Sequence, residues 1–316
     1  MRRRHFLGAI AAGAAACSDP EPPSVEEAEP EAVSIIDTHI HLFDTERPEG
    51  VPWPPDSDPV KHQRTLPPRF RETTAGLDVK GAIAVEASPW DTDNEWLLEA
   101  AASDPIMVGV VGNLEPGTEA FAGRLETLAE HPLFLGIRWG NLWGRDFHAG
   151  VRSEAHVADI RRLASAGLVM DTANPTVEML EDLLVLTDAV PDLRVVIDHL
   201  PKLFPPPEEQ QRFTDALEKI SVRPQIAVKV SALLRRGEGY ELATYREKLD
   251  QMWAVFGEDR VLYGSDWPNS LPLGDYGQVL GIVQQYFSEK TPAQQAKYFR
   301  ENSKRIYRWA PRPSNG

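Results

Sequence analysis

Three short stretches of the chain carry side chains able to act on a carbonyl group. Asp37-Thr38-His39-Ile40-His41 sets two imidazoles two residues apart. Alternation along a strand puts both on one face, where they can converge on one cation or one carbonyl oxygen. Val195-Val196-Ile197-Asp198-His199 and Leu262-Tyr263-Gly264-Ser265-Asp266-Trp267-Pro268 are apolar runs that end in polar residues. A lone His-x-His is weak evidence, since exposed and core histidines at that spacing are common, but its place at a strand end strengthens it. Three histidines and a carboxylate at three strand ends form a metal or oxyanion site. The chain has one cysteine, Cys17, so no internal disulfide or thiolate-rich centre is possible, and a metal would be held by His, Asp and Glu.

Those residues need elements to position them. From Val33 onward, apolar runs alternate with amphipathic helical stretches, the pattern of a parallel sheet covered by helices. The runs are Ser34 to Asp37, Gly81 to Glu86, Ile106 to Gly112, Leu135 to Trp139, Leu168 to Asp171, Arg194 to Asp198, Gln225 to Ser231 and Arg260 to Gly264. After a long first connection they recur about every 30 residues, which predicts a single (β/α)8 TIM-like barrel over residues 34–311. The alternative is a doubly wound open sheet, but no Gly-x-Gly-x-x-Gly follows the first strand and no Walker loop is present. Helix starts are expected at Asp93, Ser153, Thr176 and Thr291-Pro292. A parallel barrel carries its active site at the carboxyl ends of its strands, where the three polar stretches fall.

Composition narrows the partners. The 316 residues carry 48 acids against 33 bases, a net charge of -15 that phosphate backbones and anionic lipids would repel, so nucleic acid is excluded as a partner. Residues 1–17 join a basic start to an apolar run from Phe6 to Ala16, too short to span a bilayer, and read as an export signal. Arg3-Arg4-His5-Phe6-Leu7 resembles a twin-arginine motif, and Ala14-Ala15-Ala16-Cys17 resembles a lipobox with Ala at its first position. Residues 18–33 hold six acids, four prolines and no base, the composition of a disordered acidic spacer. The expectation is an exported protein, periplasmic or membrane-anchored through a lipid on Cys17, with no other membrane contact.

Taken together, these stretches resemble the amidohydrolase-related (amidohydrolase 2) family of the amidohydrolase superfamily. The resemblance rests on Asp37-Thr38-His39-Ile40-His41-Leu42-Phe43-Asp44, Ile197-Asp198-His199-Leu200-Pro201-Lys202, Val228-Lys229-Val230-Ser231 and Gly264-Ser265-Asp266-Trp267-Pro268. The closing Asn302-Ser303-Lys304-Arg305-Ile306-Tyr307 matches the family's ending, so the resemblance covers residues 34–309. Within the family the motifs look most like lactonases of sugar acids and of 2-pyrone-4,6-dicarboxylate. The resemblance implies a hydrolase of cyclic esters acting on a small molecule, with at most one divalent cation, zinc or manganese, and no organic cofactor. Two-metal members bridge their ions with a Lys or Glu on the fourth strand, and here that strand ends Gly136-Ile137-Arg138-Trp139. The fifth strand, Leu168-Val169-Met170-Asp171-Thr172, lacks the histidine of single-metal members, which leaves Asp171 as a substitute oxygen ligand. The implied metal ligands are His39, His41, Glu86 and Asp266, with His199 and Asp171 as further candidates.

Lactone hydrolysis needs an activated water and stabilisation of the charge that grows on the carbonyl oxygen. Asp266 is assigned as the base, and His39, His41 and His199 polarise the carbonyl directly or through a cation. Arg138 and Lys202 are candidates to bind a substrate carboxylate, although Arg138 is as readily paired with Asp171 or Glu86. Trp90, Trp143 and Trp267, with Trp139 nearby, are candidate platforms for a sugar ring. The segment Glu46 to Arg71, with seven prolines, is expected to be a specificity lid without regular structure. Competing readings are decarboxylation of an aromatic or unsaturated acid on the same barrel, and a tethered barrel that binds carbohydrate or a partner without turnover.

Overall fold

The computed structural model describes residues 34–312. The export signal, Cys17 and the acidic spacer lie outside them. Eight parallel strands run in sequence order around one sheet. They are β1 (Ile35–Ile40), β2 (Val79–Val85), β3 (Met107–Gly112), β4 (Phe134–Arg138), β5 (Val169–Asp171), β6 (Arg194–Ile197), β7 (Ile226–Val230) and β8 (Val261–Tyr263). Each coincides with one of the apolar runs, and helices connect them as a (β/α)8 barrel requires.

Both faces of each strand are buried, which is why the runs are continuously apolar rather than alternating. One face fills the barrel: Ile36, Ile83, Val108, Leu135, Val196 and Leu262 belong to a cluster that also holds Ile306, Tyr307 and Trp309 from the C-terminal end. Alternate residues such as Ile35, Ala82, Met170, Val195 and Val228 pack outward against the helices. At Gly136 a Cβ would stand 2.1 Å from the Val169 carbonyl oxygen, so β4 can lie against β5 only because that residue is glycine.

The barrel is closed by backbone bonds between β1 and the chain just after β8. The Asp266 N–H donates to the His39 carbonyl at 2.9 Å and the His41 N–H to the Trp267 carbonyl at 2.8 Å. Asp37 supports this seam: its Oδ1 accepts the His39 N–H at 3.0 Å and the Ser265 N–H at 2.9 Å.

Local signals mark several helix starts. Thr176 caps Val177–Ala189 by accepting from the Met179 N–H, and Thr291 with Gln294 forms a capping box at Pro292–Ala296. Ser153 precedes Glu154–Ser165 as expected, but its hydroxyl binds the His156 ring instead of capping. Asp93 is the first helical residue rather than the cap, its carboxylate held by Arg47 at 2.7 Å. Among the described residues no helix is long and apolar enough to cross a membrane.

The proline-rich insertion departs from expectation. Much of it is turns, but its last residues enter a helix, Pro67–Thr73, with proline in the first turn where no N–H is needed. An antiparallel bridge between Phe43 and Thr65 pins it to the chain after β1. Phe70 is fully buried, with Trp267 and Tyr276 at ring-centroid distances of 5.4 and 5.9 Å. The insertion is therefore an anchored wall. Replacing Phe70 by Ala should cost about 3–5 kcal/mol of unfolding free energy, read by urea denaturation. A loss below about 1 kcal/mol would mean that Phe70 does not anchor it.

Candidate active site

The strand ends bring the expected residues together. The Asp266 Oδ1 lies 3.4 Å from His41 Nε2, 3.8 Å from His39 Nε2 and 4.0 Å from His199 Nε2. Gly264 allows this approach, since a Cβ there would stand 2.8 Å from that of His39. His199 and Asp266 both have left-handed backbone, with φ of 58° and 60°, strain that the packed strand ends sustain. His41, His199 and Asp266 line a cleft of about 240 Å³.

The outer hydrogen bonds set the ring tautomers. His41 Nδ1 lies 3.0 Å from the Val85 carbonyl, which can only accept, so Nδ1 carries the proton and Nε2 presents a lone pair. His199 Nε2 lies 3.2 Å from Arg138 Nη2, and a guanidinium can only donate, so this nitrogen also accepts. Its Nδ1 meets the Ser231 hydroxyl at 2.8 Å. Neither His41 nor His199 therefore has an Nε2–H to offer a carbonyl oxygen, which removes the direct polarisation expected of them. His39 Nδ1 lies 3.4 Å from both Asp198 Oδ1 and Lys229 Nζ.

Burial pushes the His199 imidazole down to about 4; Asp266 and Asp198 oppose that shift, and Arg138 adds to it. Burial likewise drives His39 well below the usual imidazole range, against the pull of Asp198. For Asp266, burial favours the neutral acid, but His199, His41 and His39 outweigh it and hold the carboxyl well below the usual carboxylate range. Burial thus disfavours the charged form of His39 and His199.

His39, His41 and Asp266 suit one cation. His39 Nε2 and Asp266 Oδ1 are buried without a hydrogen-bond partner, and a tetrahedral ion with bonds near 2.0–2.1 Å would separate its ligand atoms by about 3.3–3.4 Å. His39, Asp198 and His199 also lie close enough to one another, but Asp198 already faces Lys229 at 3.1 Å and Arg138 at 3.2 Å. A third group, His148, Glu178 and Asp182, sits apart, and Arg152 occupies its one buried carboxylate at 2.6 Å.

Other expected residues are placed differently. Glu86 lines the cleft: its Oε2 accepts the Trp143 indole N–H at 3.0 Å and the Ser88 N–H at 3.1 Å, while its Oε1 is buried without a hydrogen-bond partner among the described residues. Asp171 is further removed, bound to Lys229 at 2.5 Å and to the Tyr307 hydroxyl at 2.7 Å. Arg138 reaches the cleft but is drawn inward to Asp198, 3.7 Å from Glu86, so its pairing is internal. Lys202 and Trp143 line the cleft. Trp267 does not: it is fully buried behind the seam. Trp139 is buried against Phe147, and Trp90 lies outside the cleft beside Arg47.

Several contributors were missed. Trp53, from the insertion, walls the cleft 5.7 Å from the His41 ring. Asn269 donates to Asp266 Oδ2 at 2.9 Å, which leaves Oδ1 to the cleft. Lys229 is fully buried. Its signal was legible, a lone charge inside the apolar run Ile226–Val230.

Comparison with known proteins places this geometry. A family model described as amidohydrolase matches residues 36–309. The chain is 27% identical over 286 residues to the L-fucono-1,5-lactonase of Burkholderia ambifaria, covering 88% of this chain and 97% of that protein. A second L-fucono-1,5-lactonase, from Burkholderia multivorans, is 25% identical over 285 residues, 82% of this chain and 90% of that one. Among solved structures, an amidohydrolase from Burkholderia multivorans with bound zinc superposes with a TM-score of 0.77 at 24% identity, covering 88% of this chain and all of that one.

The neutral burial of His199 makes a prediction about stability. The unfolded ring gains a proton as pH falls through about 6.5 and the folded ring only near 4, so between them the unfolded state binds more protons and stability falls with pH. Asp37 and Asp171, which burial raises to about 6, act in the opposite sense, so the reading must be a difference between variants. In chelator-treated protein, His199→Gln should lose about 2–3 kcal/mol less than wild type between pH 6.5 and about 4.5. Parallel curves would contradict a neutral His199.

Proposed function

The chain belongs to the amidohydrolase family, and on that premise we propose that it hydrolyses the cyclic ester of a sugar acid or related carboxylic acid. The observation that carries this reading is the convergence of His39 Nε2, His41 Nε2 and Asp266 Oδ1 at the cleft. The lactonase names of its relatives support the ester bond, and the zinc in a related structure supports a divalent ion.

His39, His41 and Asp266 would hold that ion, which when bound supplies a Lewis acid that polarises the carbonyl and acidifies water. The fixed tautomers of His41 and His199 support this over polarisation by histidine alone. Asp266, the one carboxylate of the cation group, is placed to accept the proton of the reacting water. A carboxyl held so far below its ordinary range is a weak base, but once protonated it is a strong acid, suited to returning the proton to the departing ring oxygen. Arg138 Nη1 makes no hydrogen bond among the described residues and adds positive charge beside the developing oxyanion.

The walls support a polyol substrate. Trp53 and Trp143 offer indole surfaces to the apolar faces of a sugar ring, and Asn174, Asn269 and Lys202 offer amides and an amine to its hydroxyls. Export belongs to the same proposal, supported by the basic, apolar and cysteine-terminated residues 1–17.

A panel of aldonolactones followed by proton release at neutral pH tests the reading. Wild type should turn over at least one. Asp266→Asn should lower kcat/KM by roughly 10³-fold or more, and chelation should abolish turnover that zinc or manganese restores. Trp143→Ala should raise KM about tenfold with kcat nearly unchanged, the mark of lost uniform binding. Turnover of aromatic acids but of no lactone would replace ester hydrolysis with decarboxylation.

A further inference from the structure

Lys229 is the buried charge that the mechanism above leaves unused. It sits on β7 with no exposure, its Nζ 2.5 Å from Asp171 Oδ2 and 3.1 Å from Asp198 Oδ1. Asp171 is held from the other side by the Tyr307 hydroxyl, on the C-terminal helix Asn302–Tyr307. On its other side Asp198 Oδ2 is paired by charge with Arg138, whose Nε lies 3.2 Å away and donates to the Thr172 carbonyl. Two carboxylates and two cations thus form a compensated row between that helix and the cleft. Burying ions is costly and apolar residues would fill the space as well, so stability alone does not account for the row.

The row ends on a cation ligand. His39 can offer Nε2 to an ion only while Nδ1 carries the ring proton. Asp198 Oδ1, 3.4 Å from Nδ1, can only accept; it makes no hydrogen bond among the described residues and favours that tautomer through its charge. Lys229 Nζ, equally distant, is already within hydrogen-bonding reach of Nδ1 and can only donate, so it competes with Asp198 for that nitrogen: full donation from the lysine would put the ring proton on Nε2 and close the site to a cation. Its shorter contacts to Asp171 and Asp198 draw it away from the ring.

We propose that Lys229 is a positioning residue for the cation: anchored by Asp171, it holds Asp198 so that the charge on Oδ1 keeps the ring proton of His39 on Nδ1 and Nε2 faces Asp266. Asp171 is then the tether of that lysine, which explains an acid at the end of β5 without making it a ligand. The inference rests on the single-cation reading of the site.

The test measures metal affinity, which needs no substrate. Lys229→Met alone leaves two buried carboxylates against one cation and is expected to fold poorly, so the informative protein is Asp171→Asn/Lys229→Met, in which the charges again balance. Its zinc affinity, by competition with a chromophoric chelator, should fall about 10- to 100-fold with the circular dichroism spectrum unchanged. Asp171→Asn alone removes the tether and should lower zinc affinity about tenfold, and an affinity equal to that of wild type would overturn the role of Asp171. A folded double variant that binds zinc as tightly as wild type would overturn the positioning role while leaving the cation reading intact. Wild type that binds neither zinc nor manganese would overturn both. If the double variant does not fold, nitrogen-15 NMR of His39 in metal-free wild type decides: a protonated Nδ1 supports the proposal, and a protonated Nε2 overturns it.

Discussion

The cation group depends on the seam between β1 and the chain after β8. The peptide groups that close the barrel there belong to His39, His41, Asp266 and Trp267, so barrel closure and side-chain alignment are one event. Asp37 sits behind that seam, its two oxygens taking two backbone N–H groups and the Tyr276 hydroxyl. Burial nevertheless raises its carboxyl to about 6, because those bonds offset only part of the lost hydration. An uncharged residue there would serve the core better, but it could not gather the same donors at the point where the strands meet.

A second constraint is electrostatic. Asp171, Lys229, Asp198 and Arg138 lie inside a barrel otherwise lined by branched aliphatic residues. Each member orients its neighbour, and the outermost contacts fall on the two imidazoles of His39 and His199. At His41 the site is preorganised: its ring proton points to the Val85 carbonyl and its Nε2 lone pair toward the cleft before any ligand arrives. The same logic applies to the walls. Glu86 fixes the Trp143 indole, whose backbone φ of 60° is strained for a bulky residue, and the insertion fixes Trp53 across from it.

Much of this was legible in the sequence because the relevant signals are local. Continuous β-branched runs mark strands buried on both faces, and polar residues at their ends mark the active face, so the barrel and the set His39, His41, His199 and Asp266 could be read without coordinates. What could not be read was direction. Trp267 follows Asp266 directly, yet the turn at Asp266 sends its ring into the core. Asp171 is an acid at a strand end like Asp266, and only its three-dimensional partner, a lysine, separates it from the cleft. Trp53 was invisible because a proline-rich loop has no period from which to infer its packing. The strand pattern carried the barrel, whereas the division of labour among its polar residues required the tertiary contacts.

The central claim is a single cation held by two imidazoles and one carboxylate, with His199 kept apart by Arg138. Zinc-edge X-ray absorption on the zinc-loaded protein, combined with metal stoichiometry, addresses it most directly. The account predicts one zinc per chain with two imidazole ligands and oxygen for the rest. Two ions per chain, or a third imidazole in the coordination shell, would contradict it.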